Sequence, residues 1–364
     1  MKWARPRWIT PFVLMVLLLF AAAVATATAE EEPQQAFVPL PVIGYSPDTG
    51  VVLGGAGVFY RINADQKPET TDSVAGVGFY GTKGWFALAL SAEVNPGQGG
   101  WTHVVEVQPQ RAPMSFFGIG RETRAADEEE YTDFGVEGVY SVMRRLGPVI
   151  SVGPTLAVVY HRTLETDVNG VLGSTELTGA DGTYGTGFGV TMRADSRNAS
   201  FYPTSGSYVE ATTYVVPNAL SDTATYILGT LDARSFIPLG GAHVVAGQMI
   251  FAASAGDVPF QLLPGISTGG IMRGYPEKRF RDSLAVAAQM EYRFPLIWRF
   301  GGVVFGSAGQ VAGAFTDFSF TEFVYAAGGG IRFALDTRER LNLRVDVAWT
   351  PEGTAFYVNV REAF

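Results

Sequence analysis

The sequence has no cysteine. It therefore has neither a disulfide framework nor thiolate chemistry. Histidine is nearly absent too. His103, His161 and His243 are far apart and lack HExxH spacing, and no GxSxG elbow occurs. Metal catalysis and hydrolase chemistry are left without support, so no catalytic residue, metal ligand or cofactor is expected. Positive charge is also short. Lys2, Arg5 and Arg7 are the only charged residues among 1–29. Beyond them 23 basic residues face 35 acidic ones, a net charge of −12. A phosphate backbone needs a basic face, which excludes nucleic acid as a partner. After residue 29 no uncharged apolar run is long enough for a spanning helix.

The one apolar run, Pro11 to Val24, follows the three basic residues and leads to Ala27-Thr28-Ala29. A basic start, an apolar middle and a small-x-small site predict a secretory signal peptide over 1–29. Residues 30–37 then read as a short periplasmic lead, too short for a folded module. The chain holds 44 Gly, 25 Phe and 15 Tyr with a mean hydropathy of +0.15. Positive hydropathy without long runs means apolar residues spread through alternating segments. That predicts an all-β fold over 38–364, a transmembrane antiparallel β-barrel of about 16 strands facing the lipid bilayer of an outer membrane.

The alternation is legible strand by strand. Phe86, Leu88, Leu90, Ala92 and Val94 oppose Ala87, Ala89, Ser91 and Glu93. Trp101 to Gly120 reads as one strand bent at Pro109 or Pro113. Val286, Ala288, Met290, Tyr292 and Phe294 oppose Ala285, Ala287, Gln289, Glu291 and Arg293. Phe356, Val358, Val360 and Phe364 oppose Tyr357, Asn359 and Arg361, with Glu362 an exception expected at headgroup level. Pro39 and Pro41 predict a short first strand, poorly paired near its start. An open edge in lipid leaves unpaired backbone groups, so first and last strands must meet. Val42, Ile43, Gly44 and Tyr45 against Phe356, Val358 and Val360 form the expected weak seam. Glu210, Asp232, Arg234, Arg332, Arg344 and Asp346 read as lumen lining that keeps water-compatible side chains.

Three motifs carry a resemblance. Ile271-Met272-Arg273-Gly274-Tyr275 lies in the long connection from Ala255 to Ser283. Asp195-Ser196-Arg197 is followed by Phe201-Tyr202-Pro203-Thr204-Ser205-Gly206. Met290-Glu291-Tyr292-Arg293-Phe294-Pro295 follows the long loop. Together they resemble the Val-Arg-Gly-Phe/Tyr loop, the Asp-x-Arg…Phe-Pro-x-x-Gly turn and the following strand of the BamA/TamA outer-membrane superfamily, the bacterial surface antigens. The resemblance covers about residue 40 onward.

It implies that Arg273, with Gly274 and Tyr275, enters the lumen and pairs with Glu291. The family's second carboxylate falls near Ser307, which cannot form that ion pair. The resemblance also implies a periplasmic turn built on Asp195, Arg197, Pro203 and Gly206, and Phe364 as an insertion signal. Thirty-seven residues leave no room for a periplasmic POTRA domain, so the stand-alone barrel branch is the nearer likeness. The expected function is outer-membrane protein assembly or translocation, with client outer-membrane proteins or separate periplasmic subunits as partners. The alternative is a passive or plugged pore.

Overall fold

The computed structural model describes residues 35–46, 50–63, 70–82, 84–96, 100–167, 170–174, 177–267, 270–336 and 341–364. The expected signal peptide, most of the expected lead and Gly269 lie outside the described residues. Val42, Ile43, Gly44 and Tyr45 are described in backbone only.

The strands are β1 (Gln35–Ser46), β2 (Gly50–Asn63), β3 (Thr70–Gly81), β4 (Phe86–Val94), β5 (Trp101–Phe116), β6 (Glu129–Arg145), β7 (Ile150–Leu164) and β8 (Gly182–Asp195). They continue as β9 (Gly206–Val216), β10 (Tyr226–Gly240), β11 (His243–Gly256), β12 (Leu284–Pro295), β13 (Phe300–Ala312), β14 (Val324–Asp336), β15 (Leu341–Thr350) and β16 (Gly353–Val360). They form one sheet in sequence order, and every neighbouring pair is antiparallel.

The two faces are inverted relative to a soluble sheet. Met290 on the outer face is 63% exposed, while its neighbour Glu291 on the inner face is 0% exposed. Phe188, Val190 and Met192 are likewise exposed while Thr191 is buried. Apolar outside and polar inside is the arrangement lipid requires.

The start of the sheet differs from the sequence expectation. β1 begins at Gln35, inside the segment read as a lead, and all twelve of its residues are paired with β2. Pro39 and Pro41 sit opposite Gly57 and Gly55 without breaking that ladder. Both prolines have the same parity, so both lack an N–H on the same side of the strand. The unbroken ladder assigns that side to the free edge. Proline here blunts the edge and leaves the β2 pairing intact. β5 also differs, ending at Phe116 before Gly120. Its ladder with β6 is continuous, but that with β4 lapses between Gln110 and Val107, where Pro109 lies.

The sheet closes by overlap. Among the described residues no hydrogen-bonded ladder joins β1 to β16. Register carries the lumen face from Glu93 through Ser73 to Tyr60, and from Arg332 through Arg344 to Asn359. Val58, Tyr60 and Ile62 are therefore lumen-facing, while Leu341, Leu343, Val358 and Val360 belong to the outer face. These opposite faces pack on each other. Leu341 and Val360 cluster with Val58, Tyr60 and Ile62, and Leu343 and Val358 with Val38 and Ala56. The last hairpin is tucked inside the first at the end where both chain termini lie. A cleft of about 300 Å³ runs between the inner wall of β2–β4 and Val358–Arg361. At the other end of the same strands Val347, Trp349 and Phe356 are exposed.

Candidate functional site

The described parts of the connection from β11 to β12, residues 257–267 and 270–283, fold back into the lumen because their own side chains are apolar at the points of contact. Ile266, Ile271, Met272, Tyr275 and Phe280 are buried in one cluster with Ala285 and Ala287 of β12, Val311 of β13 and Ala326 of β14. Gly274 makes the reversal with φ +111, where a Cβ would meet Thr350 Cγ2 at 2.5 Å. Only glycine adopts this conformation without strain and allows this approach. The Gly274 N–H donates to the Tyr357 hydroxyl at 2.8 Å, and the Tyr275 hydroxyl donates to the Tyr325 carbonyl at 3.3 Å.

This backbone aims Arg273 at the strand wall. Its Nη2 lies 2.6 Å from Glu291 Oε1 and 3.0 Å from Gln289 Oε1, and its Nη1 lies 2.7 Å from Asp346 Oδ2. The guanidinium stacks on Phe305, 3.5 Å from the ring centroid. Ser307 takes no part, and its buried hydroxyl has no hydrogen-bond partner among the described residues. On β13 the arginine meets the aromatic ring of Phe305. The second carboxylate comes from β15.

The two carboxylates are shared. Glu291 also holds Arg293 at 2.9 Å, and Asp346 holds Arg332 at 2.5 Å and Arg344 at 3.5 Å. Arg332 reaches Glu362 at 2.7 Å, and Asn342 donates to Glu362 at 2.8 Å. Glu362 is therefore not at headgroup level. Arg361 has φ +76, which breaks the strand alternation and turns Glu362 inward. Phe364 also leaves the outer face. It is buried against Phe236, Val244 and Ala246, with the Arg293 guanidinium 5.2 Å from its ring.

Two further arginines fix the loop. Arg279 makes a bidentate contact with Glu352, the shorter distance 2.8 Å, and donates to Thr123. Arg281 is fully buried and donates to the carbonyls of Lys278, Phe260 and Ser115. Sequence alternation cannot find either one, because both lie in a loop.

At the opposite mouth, Asp195 accepts from the Arg197 backbone at 3.0 Å and from its guanidinium at 2.6 Å. Asn198 accepts the N–H groups of Thr204 and Ser205, Pro203 is buried, and Gly206 closes the turn at φ +95. The remaining predicted lining residues face the lumen. Asp232 and Arg234 pair at 2.5 Å, and Glu210 holds Arg193 at 2.8 Å. Arg193 also crosses from β8 to Glu93 of β4 at 3.0 Å. The three histidines stay apart. His103 and His243 meet Tyr140 and Tyr292 on the outer face, and His161 meets Asp133 in the lumen.

Among curated proteins, nothing matches the chain. Among solved structures, it is similar to BamA from Haemophilus ducreyi lacking POTRA domains 1-3, at 13% identity and a TM-score of 0.57. That likeness covers 91% of this chain and 70% of the BamA chain, and it speaks to the fold. The Omp85 superfamily domain matches residues 155–359, more than half of the 364-residue chain. The motif resemblance to BamA-type barrels is thus borne out at the level of family, and the chain belongs to the Omp85 superfamily.

Proposed function

We propose that this barrel sits in an outer membrane and assists the assembly or translocation of other outer-membrane proteins through its overlapped seam. The observation that carries the reading is the missing ladder between β1 and β16 among the described residues. Every other strand boundary is held by backbone hydrogen bonds, which must be broken in lipid without replacement by water. Among the described residues the overlap is held by side-chain packing, so separating those contacts leaves no new backbone group unsatisfied. A freed edge is what a client strand needs for β-augmentation. Pro39 and Pro41 reduce the donors on the β1 edge, which keeps that edge from sealing permanently. Arg273, held by Glu291 and Asp346, serves as the anchor that keeps the long loop in the lumen while the seam changes.

The second reading is a passive or plugged pore. The same loop favours it, since its apolar cluster and Arg273, Arg279 and Arg281 pack against the lumen wall. The purified barrel in liposomes separates the two. The folding rate of an added client barrel is followed beside membrane conductance, for wild type and Arg273→Ala. Faster client folding that the substitution abolishes supports assembly. Unchanged client folding with conductance that rises in the variant leaves a plugged pore and ends the assembly reading.

A further inference from the structure

Phe201 stands at the tip of the β8–β9 turn yet is only 3% exposed. A turn tip ordinarily points into solvent. This one crosses the mouth of the barrel. The ring packs edge-on against Tyr60 of β2 with centroids 5.7 Å apart. It shares a buried cluster with Val58 and Ile62 of β2 and with Leu341 of β15. The Arg361 guanidinium, at the end of β16, lies 4.9 Å from the same ring. Both sides of the overlap therefore touch one side chain, and that side chain belongs to neither.

We infer that Phe201 is the latch of the seam, a positioning residue that keeps the last hairpin tucked inside the first. Side-chain packing closes the seam, so a large aromatic wedged across it contributes what a ladder contributes elsewhere. The turn is built to deliver that ring. The bonds Asp195 to Arg197 and Asn198 to Thr204 and Ser205 stiffen it with polar contacts, and Gly206 permits the left-handed reversal. The tip therefore moves with β8 and β9 as a unit. A displacement of that hairpin withdraws Phe201 from both seam faces at once. Pulling the turn toward the periplasm would loosen the overlap without touching the long loop. The inference concerns the seam alone. It holds for an assembly barrel and for a pore whose wall opens, and its test uses no client.

The absence of native cysteine makes the test direct. Val58→Cys places one thiol on the covered face of β2, where Val58 is 3% exposed. The folded barrel in liposomes is treated with a membrane-impermeant maleimide. With Phe201 present the thiol is protected. In the Phe201→Ala background it is expected to label at least about tenfold faster, the factor that about 1.4 kcal/mol of lost closure produces. Phe201→Tyr restores protection. Phe201→Leu, which keeps apolar bulk and folds where alanine does not, gives an intermediate rate. A second thiol at Ala157, 1% exposed on β7, stays protected throughout and reports an intact barrel. Unchanged Val58→Cys labelling in both the alanine and leucine backgrounds overturns the latch. So does equal acceleration at Ala157→Cys, or by Tyr202→Ala, because each assigns the effect to general loosening.

Discussion

Replacing Arg273 with alanine deletes its bonds to Glu291, Gln289 and Asp346 at 2.6, 3.0 and 2.7 Å. Hydrogen bonds to charged groups are worth about 1.5–3 kcal/mol each, and simple addition gives about 5–9 kcal/mol. The charges left behind argue for less. Four guanidiniums, of Arg273, Arg293, Arg332 and Arg344, surround three side-chain carboxylates, of Glu291, Asp346 and Glu362, and Arg293 also donates to a Phe364 oxygen at 3.4 Å. Without Arg273, three cations face three anions. Glu291 keeps Arg293 at 2.9 Å and Asp346 keeps Arg332 at 2.5 Å. The expected cost is about 2–3 kcal/mol, because no carboxylate is orphaned. Glu291→Gln removes the same ion pair from its other side, with the opposite consequence. Four cations then share two carboxylates, and the expected cost is about 3–5 kcal/mol, the range for an uncompensated buried charge. The double variant is expected to be no worse than Glu291→Gln alone, since it restores part of the balance. Urea unfolding in phospholipid vesicles, followed by tryptophan fluorescence, gives the order. If Arg273→Ala costs as much as Glu291→Gln or more, the charge-balance argument is refuted.

Three further outcomes follow from the geometry. Gly274→Ala forces a Cβ onto Thr350 Cγ2 and strains φ +111. It is expected to cost about 1–3 kcal/mol, and Thr350→Ser should recover part of the loss in the same unfolding assay. Glu362→Ala severs contacts of 2.7 and 2.8 Å to Arg332 and Asn342 and is expected to destabilise by about 2–3 kcal/mol. On a lipid face the same change would stabilise, so the sign of the shift tests the inward placement. Gly206→Ala, at φ +95 with a Cβ running into the Ser196 carbonyl, should lower the yield of folded barrel, scored by heat-modifiable mobility on gels.

The strand count and the two faces were legible in the sequence because a period of two is a local property. Each strand announces its own faces, and sixteen such segments appear in the structure. The partner of Arg273 was only half legible. Alternation puts Glu291 and Asp346 on lumen faces, but choosing Asp346 needs the registers of four strands in series. Counting along one strand cannot supply them, and family position fell on Ser307. Glu362 and Phe364 were misplaced for a different reason. Alternation holds only as far as Val360, and Arg361, at φ +76, follows the end of the strand. A turn tip that packs across the mouth, as Phe201 does, leaves no periodic signal at all. Proline in a first strand interrupts pairing only where its missing N–H faces the neighbour, and sequence alone does not say which side is the free edge, the side that Pro39 and Pro41 occupy here.

The overlap and the lumen loop act on different parts of the barrel, and this separates their roles. Arg273, Arg279 and Arg281 tie the loop to β12, the β15–β16 turn, the β5–β6 connection and β5. Among the described residues, none of these ties reaches β1 or β2. The last hairpin is thereby fastened to the loop by Arg273 to Asp346, the Gly274 N–H to Tyr357 and Arg279 to Glu352. Among the described residues, the first hairpin meets the last in apolar clusters that include Val38, Ala56, Val58 and Tyr60. Apolar packing is non-directional and tolerates sliding, whereas charge-assisted bonds hold one geometry. If the seam separates, β1 and β2 are the side that moves and β15 and β16 the side that stays. Loss of Arg273 should then act through the loop, on its order, on conductance and on the client folding that depends on it, while loss of Phe201 should act on the seam with the loop still in place. Equal effects of both substitutions on both readouts would mean that lumen and seam form a single cooperative unit.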